Sequence, residues 1–215
     1  MPIARFNRFF DIQHFGRPQA QHRLVIWGLL AVMLWLPGLG GLLKSSMLTH
    51  MGVQVSLLIW VGHRWGHALL ACRPELTVWT RRYRWALMLM TMVTLTLWMV
   101  PRLLDWAVES PVVDLIKALS LVLCAGVPLA WAWPQLPAVA RGVIHLEALA
   151  SLWRLGWLYL DSPTRLCVQY SLDDQQRLGQ LWMGSGAVYA LALAWWTLRD
   201  QAVSTPINFA HGLKG

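Results

Sequence analysis

Long apolar runs alternate with short polar breaks along the whole chain. A helix that crosses the hydrocarbon core of a bilayer needs roughly 20 mostly apolar residues. Six stretches reach that length: 24–43, 47–71, 84–104, 112–133, 139–160 and 175–198. The breaks carry turn chemistry. Lys44-Ser45-Ser46 separates the first two stretches, and Arg73-Pro74-Glu75 ends the second. Pro101-Arg102 closes the third and Ser110-Pro111 opens the fourth. Pro134 and Pro137 bracket the next turn, and Asp161-Ser162-Pro163 ends the fifth. This pattern predicts an all-α polytopic membrane helix bundle of about six transmembrane helices, in one domain over residues 1–215. The first run follows a basic stretch, as a signal peptide does. No Ala-x-Ala-like site follows, and apolar residues resume after Pro37 as far as Leu43, so it is expected to remain as a helix.

Composition sharpens this picture. Of the 215 residues, 57% are hydrophobic and 13% charged, against about 25% charged in a soluble domain. The formal net charge of +8 would suggest nucleic acid for a soluble protein. Here the basic residues sit in short loops beside apolar runs, so orientation in a membrane explains them and no nucleic-acid partner is expected. Arg5, Arg8, Arg17 and Arg23 precede the first stretch, and Arg73, Arg81, Arg82 and Arg84 follow the second. With six spans these fall on one side, together with the C-terminus. The other side holds Lys44, Arg102 and Arg165 and most of the acids: Asp105, Glu109, Asp161, Asp173 and Asp174. The positive-inside rule then puts both termini in the cytoplasm. The three cysteines, Cys72, Cys124 and Cys167, fall at three different depths, which excludes an intrachain disulfide.

Ionisable groups inside a bilayer are expensive, so each is a candidate for function. His50 begins the second stretch on the outer side and Met99 ends the third there. Asp114 and Lys117 begin the fourth, three residues apart and able to pair. Asp173, Asp174, Gln175 and Gln176 begin the sixth. These groups share one depth. The plain alternative is that they cap helices and snorkel to headgroups. His50 itself either holds a metal or is hydrogen-bonded to Gln175 or Asp174. His63 and His67 form a second candidate: spacing i, i+4 places both imidazoles on one helix face, the geometry of a two-histidine metal clamp or a haem ligand. The alternative there is a solvated interfacial pair beside Arg64. His145 and Glu147 read first as packing partners within the bundle. Met47, Met51 and Met99 lie at the outer level near His50, and thioethers suit Cu(I). No nucleophile–base pair, phosphate loop or closed zinc site occurs, so no enzyme is expected.

Three blocks resemble the CtaG-type assembly factors of caa3-type cytochrome c oxidase. Ser171-Leu172-Asp173-Asp174-Gln175-Gln176-Arg177-Leu178-Gly179-Gln180-Leu181-Trp182-Met183 is similar to the family's Asp-Gln-Gln stretch followed by Gly and Met. Leu97-Trp98-Met99-Val100-Pro101, Asp105, Ser110-Pro111 and Trp133-Pro134 resemble its Trp-His-x-Pro and the helix that runs from His-x-x-Glu-His to Trp-Trp-Pro. Ser46-Met47-Leu48-Thr49-His50-Met51 resembles its His-Met-x-x-His. Most of the family's histidines are replaced: Ser46, Met99, Asp114, Lys117 and Ala118 stand at their positions, and His50 remains. The resemblance implies a multi-pass protein of the bacterial inner (plasma) membrane that helps assemble a haem–copper oxidase. It further implies copper as the cofactor, handled at the outer (periplasmic) face, and an oxidase subunit or other membrane protein as partner beside the lipid bilayer; the shared depth of His50, Met47 and Met99 makes these three the expected ligands. Two alternatives stay open. One is a non-metal scaffold or accessory subunit packed through small residues such as Gly38, Gly40, Gly41, Gly179, Gly184 and Gly186. The other is a haem-binding protein using His63, His67 or His145.

Overall fold

A computed structural model of the protein describes residues 17–36 and 41–204, with side chains over 21–36 and 41–199. Every regular element among the described residues is helical. α1 is Arg17–Trp35. A π-helical turn, Leu48–Gln54, runs into α2, Val55–Cys72. α3 is Leu76–Arg82, α4 Arg84–Trp98, α5 Pro101–Glu109 and α6 Pro111–Ser120. A second π-helical turn, Leu121–Gly126, joins α6 to α7, Val127–Ala132. After the short 3-10 turn Trp133–Gln135 come α8, Ala138–Asp161, and α9, Leu172–Ser204.

Two helical stretches are long and apolar enough to cross a membrane: Pro111–Gln135 and Leu172–Arg199. A third joins them if α4 and α5 count as one bent span. The other expected spans differ in kind. The run expected over 24–43 is described as a helix only to Trp35, and Pro37, Gly38 and Gly40 lie outside the described residues, as do Arg5 and Arg8. The stretch 47–71 is divided by its π turn. α8 carries Arg141, Glu147 and Arg154 along its apolar length.

The stretch expected over 84–104 ends early. α4 stops at Trp98, and the chain turns 73° into α5. Pro101 is the cause: its ring disfavours helix at the residue before it, and Val100 is extended at φ −73°, ψ 118°. The segment expected to be an outer loop is therefore an amphipathic helix. α5 buries Leu104, Asp105 and Ala107 and exposes Arg102, Trp106 and Glu109.

The core sits where α2 crosses the α6–α7 stretch. Val55, Leu58 and Val61 pack there with Leu34, Trp98, Ala118, Leu121 and Val122. The crossing is close because it is glycine against glycine. A β-carbon on Gly62 would lie 2.5 Å from the Val122 carbonyl oxygen, and one on Gly126 would lie 2.5 Å from that of Ile59. Small residues at such a contact let two backbones touch. The same device joins α8 to α9 through Gly156 and Gly179, with Gly186 against Trp153. Of the glycines expected to serve this purpose, Gly41 and Gly184 face open space. The α8–α9 hairpin meets the rest of the molecule through the π turn at 48–54 and a second apolar cluster built on Met47, Met51, Leu104, Tyr159 and Leu178.

Candidate functional site

One end of the bundle carries Lys44, α5 and the connection between α8 and α9, and it contains a continuous buried polar network. The π turn brings His50 and Gln54 inward; both are buried. Its register is wide by one residue, with the Val55 amide donating to the His50 carbonyl. Such π turns recur at functional positions. α6 faces it with Asp114 and Lys117, three residues apart on one side of the helix.

Lys117 is the hub. Its side chain is fully buried. The ammonium donates to His50 Nε2 at 2.5 Å and to Gln54 Oε1 at 3.3 Å. It also stands 2.9 Å from Asp114 Oδ1. That last contact is an ion pair outside hydrogen-bond geometry, because Oδ1 accepts no directed bond. Lys44 donates to the other carboxylate oxygen, Asp114 Oδ2, at 2.6 Å and is 23% exposed. Asp114 thus answers two cations, one buried and one at the rim. Gln54 Nε2 donates to the Leu34 carbonyl at 3.1 Å and ties the network to α1.

Direction follows from chemistry. An ammonium has only donors, so His50 Nε2 accepts and the ring proton is on Nδ1. Nδ1 lies 2.8 Å from the Tyr170 hydroxyl and donates to it. Tyr170 then donates to the Lys44 carbonyl at 3.2 Å. The chain Lys117–His50–Tyr170–Lys44 therefore runs one way and uses both imidazole nitrogens.

The residues after α8 close this end. Val168 N–H donates to Asp105 Oδ2 at 3.0 Å, and Gln169 to Glu109 at 2.9 Å, both on α5. Leu166 N–H donates to Gln175 Oε1 at 2.8 Å, and Gln175 Nε2 donates to the Tyr159 carbonyl at 3.2 Å. Burial, with Asp105 nearby, pushes the Cys167 thiol up to about 12. Burial also raises the Tyr170 phenol, so both groups stay protonated.

The expected site residues separate into those the fold joins and those it does not. His50, Asp114 and Lys117 meet directly. Met47 and Met51 are buried in the adjoining apolar cluster, with Met99 packed against it. Gln175 turns inward, but it holds the closing loop and not His50. Asp173 and Gln176 are exposed and Asp174 is half-buried at the start of α9, where Ser171 Oγ accepts the Asp174 amide. That is helix capping, with acids favoured by the positive end of the helix dipole. None of these three acids and amides bonds to the Lys117 network among the described residues. The expected partner of His50, Gln175 or Asp174, is replaced by Lys117 and Tyr170. Lys44, Gln54 and Tyr170 went unrecognised in the sequence. Gln54 had a signal, since it stands four residues after His50 on the same helix face.

His63 and His67 lie on α2, with rings 4.6 Å apart and edge to face. The pair is not solvated as expected: His63 is buried, and both His67 nitrogens are buried without a hydrogen-bond partner. His145 is elsewhere, 2.5 Å from the Tyr189 hydroxyl through Nδ1 and packed on Trp133. Compared with protein-family models, with curated proteins and with solved structures, the chain matches none.

Copper was the cofactor expected at His50, Met47 and Met99. A metal binds imidazole through a lone pair. Lys117 occupies the lone pair of Nε2, and Nδ1 carries the proton given to Tyr170. The donor set does not fit copper in this arrangement.

Proposed function

We propose that the chain is a non-catalytic membrane scaffold that helps assemble a haem–copper oxidase. In this reading it crosses the bacterial inner membrane six times with both ends in the cytoplasm. Its buried network holds α1, α2 and α6 in register and carries no copper. The observation behind it is the engagement of both His50 nitrogens by Lys117 and Tyr170. A buried polar network of hydrogen bonds and ion pairs rigidifies and specifies one arrangement of helices. The class of partner comes from the resemblance in the Asp-Gln-Gln stretch. The topology comes from the distribution of arginines.

A second reading keeps copper. Met47 and Met51 share one apolar cluster, with Met99 packed against it. Release of Lys117 would free an imidazole nitrogen of His50, and imidazole with thioethers is a soft set suited to Cu(I). One experiment separates the two. Purified protein is analysed for copper and for a visible haem spectrum, then set to compete for Cu(I) with a chromophoric chelator. The scaffold reading expects no copper, no Soret band and no competition. Competition by wild type that His50→Ala removes overturns it in favour of copper, and a Soret band overturns it in favour of haem. Cysteine labelling tests the topology: positions 76–80 react from the cytoplasm alone and 162–170 from outside alone, and the reverse pattern refutes it.

A further inference from the structure

We infer that one face of α8 is a docking surface for a transmembrane helix of a partner protein that presents uncharged hydrogen-bonding side chains at mid-membrane depth. The face is defined by Glu147, Ser151 and Arg154, at spacing i, i+4 and i+7. The Arg154 guanidinium donates to Glu147, and also to Ser151 Oγ at 3.3 Å. Ser151 donates to Glu147 at 3.2 Å. This polar cluster lies on the outside of the bundle, with the Arg154 side chain 64% and the Glu147 side chain 54% exposed. Val143 and Leu146 flank it toward one end of the helix and Leu158 toward the other, all exposed.

Its depth is set by α9. His145 on α8 bonds to Tyr189 on α9, and Gly156 on α8 packs on Gly179. Both α9 residues lie inside the apolar stretch Leu172–Arg199. Glu147 and Arg154 fall between those two crossings, roughly 10 Å apart along the helix, one on either side of the level of that stretch's midpoint. The inference rests on the reading above, under which this stretch and α8 cross the membrane.

A charged pair at that depth does not face lipid. Ionisable groups in transmembrane helices face protein or a water-filled cavity, because hydrocarbon offers them no hydrogen bonds. Arg154 uses one of its two terminal nitrogens for Glu147 and Ser151. Its other N–H donors have no acceptor among the described residues. The occupant must supply acceptors, and because Glu147 already balances the charge, uncharged ones such as hydroxyls and amides suffice. A second copy fits poorly. A two-fold axis along the membrane normal sets each residue beside its own copy, so Glu147 meets Glu147 and Arg154 meets Arg154.

The test is photo-crosslinking in native membranes, with benzoylphenylalanine at Leu146 or Leu158 and, as control, at Leu191 on α9. The expected result is lipid adducts at Leu191 and a discrete protein adduct at Leu146 and Leu158. Sequencing of that adduct should place the contact in an apolar partner segment bearing Ser, Thr, Asn or Gln. The adduct should fall about tenfold in E147L/R154L, the effect of losing interhelical hydrogen bonds. If that variant does not fold, Val143→Trp serves instead, since it blocks the face from an exposed position; Leu158 then carries the crosslinker. Lipid adducts at all three positions overturn the docking surface while leaving the span intact. An adduct of twice the chain mass, or one that persists in both variants, also overturns it. Failure of Leu191 to meet lipid refutes the spanning reading and the inference with it.

Discussion

Lys117→Met is the most informative single perturbation of this protein. It removes the donor to His50 Nε2 and Gln54 Oε1, both buried, and one of the two cations on Asp114. A buried acceptor left without a partner costs about 1–3 kcal/mol, and breaking one side of a buried ion pair costs about 3–5 kcal/mol. Lys44 still holds Asp114 Oδ2, which softens the second term, so the single substitution should cost about 3–5 kcal/mol. Asp114→Leu should cost a similar amount, because it strands the buried ammonium. The double variant removes both charges together and leaves unmet the buried His50 and Gln54 acceptors and, at the partly exposed rim, the Lys44 ammonium. It should cost at least about 2 kcal/mol less than the two single effects combined, well beyond the few tenths seen for independent sites. Reversible unfolding in mixed detergent micelles, followed by circular dichroism, measures all four corners of the cycle. Additivity within about 0.5 kcal/mol refutes the coupled pair.

Gly62→Ala should destabilise by about 1–3 kcal/mol, because the new methyl meets the Val122 backbone and no side-chain rotation relieves it; Gly142→Ala, with nothing within 4 Å, is the control and should be neutral in the same melt. Cys167 should resist maleimide at pH 8 in the folded protein and react on unfolding. Its folded thiol is raised by burial from its ordinary 9.0 to about 12, so the unfolded chain loses that proton first as pH rises. The contribution of Cys167 to stability is therefore fully present below about pH 9 and is lost between about pH 9 and 12; rapid labelling of the folded protein at pH 8 refutes the burial.

Apolar run length was enough to show a helical chain with stretches fit for a membrane, because a helix that buries its own backbone bonds needs only composition and length to declare itself. Proline positions located the breaks at 101 and 111 for an equally local reason. The i, i+3 spacing of Asp114 and Lys117 put both on one side of α6 before any packing was known. Other features were decided by tertiary structure alone. At what angle α5 leaves α4, and that it folds as a half-buried helix, depends on what α5 can bury, and Leu104 and Ala107 found a partner only in the folded molecule. The glycines that matter, Gly62, Gly126 and Gly156, look no different in sequence from Gly41 and Gly184, since a glycine's value lies in what approaches it. His50 is the clearest case. Its neighbours in sequence and depth suggested metal or Gln175, whereas its actual partners, Lys117 and Tyr170, lie 67 and 120 residues away. Hydrogen bonds over such separations are set by which helices touch, and that choice belongs to packing of the whole bundle.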